Sequence, residues 1–144
     1  MEVRVIEFGS NDYKKSIELR DKILRKPLGM VFTDEFLSQD KEQINIAAFD
    51  NEIMVGILLL KKINDKILKM RQVAVDENRQ GQGIGKQMVI FSEKYAKQNG
   101  FTLIELNARD TAIPFYQSLD YKIVSEEFFE VGISHKKMEK DLKI

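Results

Sequence analysis

Between a run of alternating apolar residues and a long amphipathic segment, the chain carries Gln80-Gly81-Gln82-Gly83-Ile84-Gly85. Three glycines two apart, at the opening of a helix, leave successive backbone N–H groups uncovered by side chains. The positive end of the helix dipole points at the same place, which suits the phosphates of a ligand. Ahead of the glycines, residues 68–75 end in Val73-Ala74-Val75 and read as a strand. Behind them, Ile84, Met88, Phe91 and Tyr95 recur at three- and four-residue steps, which predicts a helix with one apolar face. Asn99-Gly100 supplies a left-handed stop, so the helix is expected over 83–99, with glycines in its first turn.

Two familiar phosphate loops do not fit. A G-x-G-x-x-G turn accommodates Gly81 and Gly83 but requires a third glycine where Lys86 stands. A Walker-type loop ending in Gly85-Lys86 requires glycine at position 80 and Ser or Thr at position 87, and both are Gln. The bland alternative is a tight strand-to-helix turn that binds nothing.

Val73-Ala74-Val75 followed by Arg79-Gln80-Gly81-Gln82-Gly83-Ile84-Gly85 resembles the acetyl-CoA signature of the GNAT-type N-acetyltransferases. That signature is written (Arg/Gln)-x-x-Gly-x-(Gly/Ala), and Gln80, Gly83 and Gly85 fill its fixed positions. A second block runs Leu106-Asn107-Ala108-Arg109, Ala112, then Phe115-Tyr116-Gln117-Ser118-Leu119-Asp120-Tyr121. It is similar to the family's Asn…Ala…Phe-Tyr-x-x-x-Gly-Phe block, with Asp120 where glycine is usual. Asp tolerates left-handed geometry better than most residues. The motifs carry the resemblance over 72–121, and the order of elements carries it over the N-terminal half.

That order is strand, two helices, three strands, helix, strand, helix and two strands. Val3, Val5 and Phe8 open the first strand; Ser10 or Asn11 caps a helix that Pro27 and Gly29 end. Residues 33–37 suggest a short helix. Strands at 43–49 and 53–61 flank Asp50-Asn51, a hairpin pair, and Asn64-Asp65 repeats that logic. Residues 102–106 form another strand, and Pro114 suits a helix's first turn. Strands at 122–131 and 134–142 close the chain near Gly132, the last one a candidate for pairing across a dimer.

The resemblance implies an α/β fold of the mixed α+β kind: a seven-stranded, mostly antiparallel sheet, splayed at the cofactor cleft and flanked by about four helices. The implied cofactor is acetyl-CoA, with CoA as product. Its pantetheine arm is expected between the strands at 68–75 and 102–106, its amides pairing with backbone around Val73, Ala74 and Val75. Its pyrophosphate is expected on amides of Gly81, Gln82, Gly83, Ile84 and Gly85, with Arg79 and Lys86 adding charge and Asn107 holding the amide arm. The bland readings are surface charge for Arg79 and Lys86 and a strand-end polar residue for Asn107.

The implied reaction is direct attack of a primary amine, of a small molecule or a peptide, through a tetrahedral intermediate. An N–H near Val75 would stabilise the carbonyl oxygen. Tyr116 is the candidate general acid for the departing sulfur, since a phenol is protonated at pH 7; otherwise it packs beside Phe115. The acceptor needs a base: a lysine-like amine is neutral in only about one molecule in 2,500 at pH 7, a deficit of about 4.6 kcal/mol. Candidates are Asp34, Glu35, Glu126, Glu127, Glu130 and His135, and residues 129–138 resemble the end of one bacterial subgroup of the family. Glu127 and His135 are the leading pair, although a lone histidine is more often structural. A Phe at position 116 would have favoured the competing function, a non-catalytic acyl-CoA-binding sensor or interaction module.

Composition narrows the rest. At 144 residues a single domain over 1–144 is expected. Cysteine is absent, which removes disulfides, thiol nucleophiles and thiolate metal sites, and no metal is expected. With 23 basic and 23 acidic side chains, no overall field attracts nucleic acid. The longest apolar stretch, 53–60, is too short to span a bilayer and reads as a buried strand. No secretory pattern opens the chain, so a cytoplasmic protein, monomer or homodimer, is expected.

Overall fold

Short polar residues start the first two helices. In this computed structural model, which describes residues 1–143, the Ser10 side chain accepts from the Tyr13 N–H and caps α1 (Asn11–Arg20). Thr33 accepts from the Phe36 N–H in the same way ahead of α2 (Asp34–Ser38). After α1 the chain widens into a π-helical turn, Asp21–Arg25, and then a 3₁₀ turn, Lys26–Leu28, closed by Gly29 at φ 68°. The glycine segment leads into α3 (Ile84–Gln98), and Pro114 sits in the first turn of α4 (Ile113–Ser118). The predicted line of Phe91 and Tyr95 is only half-buried in α3; the buried line runs through Ile84, Met88, Val89, Ser92 and Ala96.

The backbone divides into two compact units. One comprises Met1–Lys61 with Arg71–Ser92, the other Lys62–Met70 with the chain from Glu93 onward. The three divisions fall before the last residue of the strand Ile53–Lys62, within the strand β4 (Ile67–Val75), and within α3.

In the first unit, β1 (Glu2–Ile6), β2 (Ile44–Asp50) and β3 (Ile53–Lys62) pair antiparallel in that order. The hairpin between β2 and β3 turns on Asn51 (φ 49°) and Glu52 (φ 68°), one residue later than Asp50-Asn51, because Asp50 still pairs with Ile53. A two-residue turn of this hand needs both central residues left-handed. β3 is buried from Met54 through Leu60, as the apolar run predicts. α3 packs tightly on its Gly56: a Cβ there would meet Met88 Cε and Sδ at 2.9 Å and Ile84 Cγ2 at 3.1 Å. Ile6, Leu19, Ala47, Phe49, Met54, Ile57 and Ala74 form the core cluster, with Ile23 and Leu24 packed against it.

In the second unit, the first residues of β4 pair in parallel with β5 (Leu103–Arg109), from Ile67↔Leu103 to Met70↔Leu106. On its other side β5 pairs antiparallel with β8 (Ile133–Asp141). The strand expected over 122–131 is two short ones, β6 (Lys122–Ile123) and β7 (Phe128–Glu130), both paired with β8. The interruption has a cause: Ser125 Oγ accepts the Lys137 N–H at 2.8 Å, so a side chain replaces the ladder partner. The described residues therefore hold eight strands, not seven. β8 is flanked by β5 on one side and β6 and β7 on the other. It has no open edge, which corrects the expectation that 134–142 pairs across a dimer. β4 with β5 is parallel, while β1 with β2, β2 with β3, β5 with β8, β6 with β8 and β7 with β8 are antiparallel, so the sheet is mixed, as expected.

Candidate active site

The glycines adopt the backbone that only they adopt at low cost. Gly81 and Gly83 have φ of 82° and 80°, and a Cβ at either would meet nothing within 4 Å. Conformation, not crowding, therefore demands glycine there. The Gly83 carbonyl accepts the Gln87 N–H at 3.0 Å, the first bond of α3. Among the described residues, the main-chain amides of Gly81, Gln82, Gly83, Ile84, Gly85 and Lys86 have no hydrogen-bond partner. Six adjacent donors at the positive end of a four-turn helix fit a diphosphate. Ile84 and Met88, seated against Gly56, hold that helix end on β3.

The flanking residues fix the entry to this loop. Asp76 accepts from the Asn78 N–H, starting a 3₁₀ turn at Glu77–Arg79, and Gln80 Nε2 donates back to the Val75 carbonyl at 3.3 Å. Arg79 is ion-paired with Asp50, whereas Lys86 lies exposed in the first turn of α3. Upstream, the ladder from β4 to β5 ends at Met70, leaving residues 71–75 of β4 beyond it. Gln72 within that segment is left-handed, φ 54°, the mark of a local irregularity in a strand. Ala74 points into the core cluster, while Val73 and Val75 are half-exposed.

The remaining candidates lie in the second unit. Tyr116 is buried, its ring edge-on to Phe115 at 5.0 Å and to Tyr121 at 5.8 Å. Burial pushes its phenol up to about 12, so it holds its proton throughout the physiological range. Asp120 is left-handed at φ 73°, in the place where the family pattern has glycine. His135 is 6% exposed, stacked on Phe128, with Nδ1 2.7 Å from the Ile133 carbonyl. A carbonyl only accepts, so Nδ1 carries the hydrogen and Nε2 is left as the basic nitrogen. Glu127 is exposed and accepts from Ser134 Oγ at 2.6 Å; Asn107 Nδ2 donates to Glu130 Oε2 at 2.9 Å. No hydrogen bond among the described residues joins Tyr116, Glu127 and His135 to one another.

One cluster escapes the sequence motifs. Asp40 Oδ2 accepts from both Arg20 Nη1 (2.6 Å) and the Tyr13 hydroxyl (2.7 Å), and all three residues are buried. Burial and Asp40 together raise the Tyr13 phenol. Twenty residues separate Arg20 from Asp40, so no local pattern announces the pair. A partial signal exists in the helical spacing of Tyr13, Ser16 and Arg20, which shares one buried face.

A family profile described as "Acetyltransferase (GNAT) domain" matches residues 24–142. An uncharacterized N-acetyltransferase of Bacillus subtilis, YjcF, is 28% identical over 138 residues, covering 95% of this chain and 98% of its own. Among solved structures, an aminoglycoside 6'-N-acetyltransferase complexed with coenzyme A superposes with a TM-score of 0.81 at 17% identity, over 99% of this chain and 97% of its own. A GNAT family acetyltransferase from Elizabethkingia anophelis with acetyl-CoA bound gives 0.76 at 17% identity, over 97% of each chain. The unpartnered amides at the start of α3 thus stand in a chain that belongs to the GNAT acetyltransferases, an N-acetyltransferase whose cofactor is acetyl-CoA.

Proposed function

We propose that this enzyme acetylates a primary amine by direct attack, with Tyr116 as general acid and His135 as the group that receives the amine proton. The row of unpartnered amides from Gly81 to Lys86 carries the cofactor half of that reading. Acetyl-CoA, when bound, supplies an activated acyl thioester. The amides of residues 81–86 take its diphosphate, Lys86 adds charge, and the β4 backbone at Val73 and Val75 pairs with its arm. The Val75 N–H stabilises developing oxygen charge. Asn107, bonded to Glu130, is the further polar group offered to that arm.

Tyr116 holds its proton at Oη until the sulfur departs. Against a thiol of about 8.5, a phenol at about 12 makes complete transfer uphill by about 5 kcal/mol. Donation is therefore partial and late, and its loss is expected to slow turnover by about one to three decades rather than abolish it. On the amine side, His135 Nε2 suits a base, with the ring held by the Ile133 carbonyl and by Phe128. Glu127, held by Ser134, is the second acceptor of protons in this hairpin.

Release of free thiol from acetyl-CoA, measured over amines, polyamines, aminoglycosides and peptide N-termini, tests the reading. Turnover with at least one amine is expected, and Tyr116→Phe should lower kcat while leaving acetyl-CoA affinity nearly intact. An unchanged rate in Tyr116→Phe, where chemistry limits, removes Tyr116 from its role. An unchanged pH profile in His135→Gln removes His135.

A further inference from the structure

Two aromatic rings in the first unit are surrounded by arginines. Phe32 and Phe36 stack at 5.6 Å between ring centres. The guanidinium of Arg20 lies 4.9 Å from the Phe32 ring, and that of Arg25 lies 4.7 Å from both rings. Arg71, from β4, lies 5.9 Å from Phe36 and donates to Gln43 Oε1. The π-helical turn Asp21–Arg25 brings Arg20 and Arg25, five residues apart, to the same ring.

The charges are not balanced alike. Arg20 is fully buried and neutralised by Asp40, although its Nε has no partner. Arg25 has no carboxylate among the described residues; its one polar contact is from Nη1 to the Met30 sulfur at 3.9 Å. Burial, then Arg20 and Arg71, lower the proton affinity of Arg25. A half-buried cation with no carboxylate of its own is unfavourable unless an anion joins it. Cation–π contact offsets only part of that cost. Phe32, Phe36 and Arg25 are themselves half-exposed, so an outside group can reach them.

The cluster also borders the reaction. Arg20 Nη2 lies 3.5 Å from Gln72 Oε1, and Gln72 immediately precedes Val73-Ala74-Val75. The geometry points to Arg25, backed by the Phe32–Phe36 pair, as the seat of an oxyanion on the acceptor. The substrate class is then amines that carry a carboxylate or phosphate, and polyamines are disfavoured. This rests on the reading above that the chain acetylates an amine and that residues 73–75 hold the cofactor arm. The oxyanion closes on the guanidinium through charge-assisted hydrogen bonds, and an apolar part of the acceptor covers the rings.

Matched pairs test it: phenylalanine against phenethylamine, O-phosphoethanolamine against ethanolamine, with spermidine as the polycation. In the wild type, kcat/KM is expected to favour the oxyanion-bearing member of at least one pair by about tenfold or more, and the preferred pair distinguishes carboxylate from phosphate. In Arg25→Gln that preference should shrink to about twofold through a higher KM, and Arg25→Lys should restore part of it. Retention of the thermal shift on adding CoA shows that the variants are folded. Equal rates within both pairs, a preference for spermidine, or a preference unchanged in Arg25→Gln overturns the proposal. If CoA binds and no amine is acetylated, the transfer reading fails by itself. The oxyanion seat is then judged by calorimetry with phenylacetate and inorganic phosphate, and equal binding by wild type and Arg25→Gln overturns it.

Discussion

Tyr116 and Tyr121 are joined twice. The Tyr121 N–H donates to the Tyr116 carbonyl at 3.0 Å, and their rings meet edge to face at 5.8 Å. With the Asp120 N–H on the Gln117 carbonyl at 3.0 Å, this is a Schellman close to α4, including its apolar contact. Tyr121 in turn donates to Glu93, which also accepts from Lys140. The ring of Tyr116 is thereby tied to the turn that ends its own helix.

That turn hinges on Asp120 at φ 73°. Asp120→Gly is expected to keep or raise stability by up to about 1 kcal/mol, and Asp120→Val to lower it by about 1–2 kcal/mol. Urea midpoints at unchanged m-value measure both.

Alkaline stability follows from the tyrosines. The Tyr116 phenol sits at about 12 in the fold, against about 10 unfolded, so its contribution is complete below pH 10. Between pH 10 and 12 the unfolded chain releases a proton that the folded one keeps, and stability falls as pH rises, by about 3 kcal/mol at most. Burial and Glu93 move Tyr121 in the same direction. Urea midpoints at pH 9, 10 and 11 should decline, and less steeply in Tyr116→Phe.

Gly56→Ala places a methyl 2.9 Å from Met88 and 3.1 Å from Ile84. A loss of about 1–3 kcal/mol is expected, with weaker acetyl-CoA binding because Ile84 begins α3. Met88→Val in the same chain should recover part of both losses, read by thermal melts with and without CoA.

Gly83→Ala separates strain from packing. Nothing lies within 4 Å of the new methyl, so the expected cost is the left-handed backbone alone, about 1–2 kcal/mol. Acetyl-CoA should raise Tm in the wild type and do so less in the variant. An equal shift in both removes the loop from cofactor binding.

The loop and the Phe-Tyr block were legible because their chemistry is local. Spaced glycines, a strand before them and a periodic helix behind leave few other structures open to residues 68–99. The polar cap at Ser10, one of two candidates there, was readable for the same reason, whereas Thr33, read as part of the short helix, is its cap. The break between β6 and β7 was not, since it depends on Ser125 reaching across to Lys137. Nor was Arg20, whose partner Asp40 is local only in space. The left-handed Gln72 has no signature in its residue type at all.

The widened turn at Asp21–Arg25 makes spacing, rather than residue identity, the quantity on which the arginine pair depends. In an ordinary helix, neighbours on one face are three or four apart, and residues five apart diverge. Removing a single residue between 21 and 24 would leave the arginines four apart, which an ordinary helix already places on one face. Ordinary pitch at the present length would instead swing one guanidinium off the rings. Length and pitch across this segment must therefore change together if both guanidiniums are to keep facing the rings.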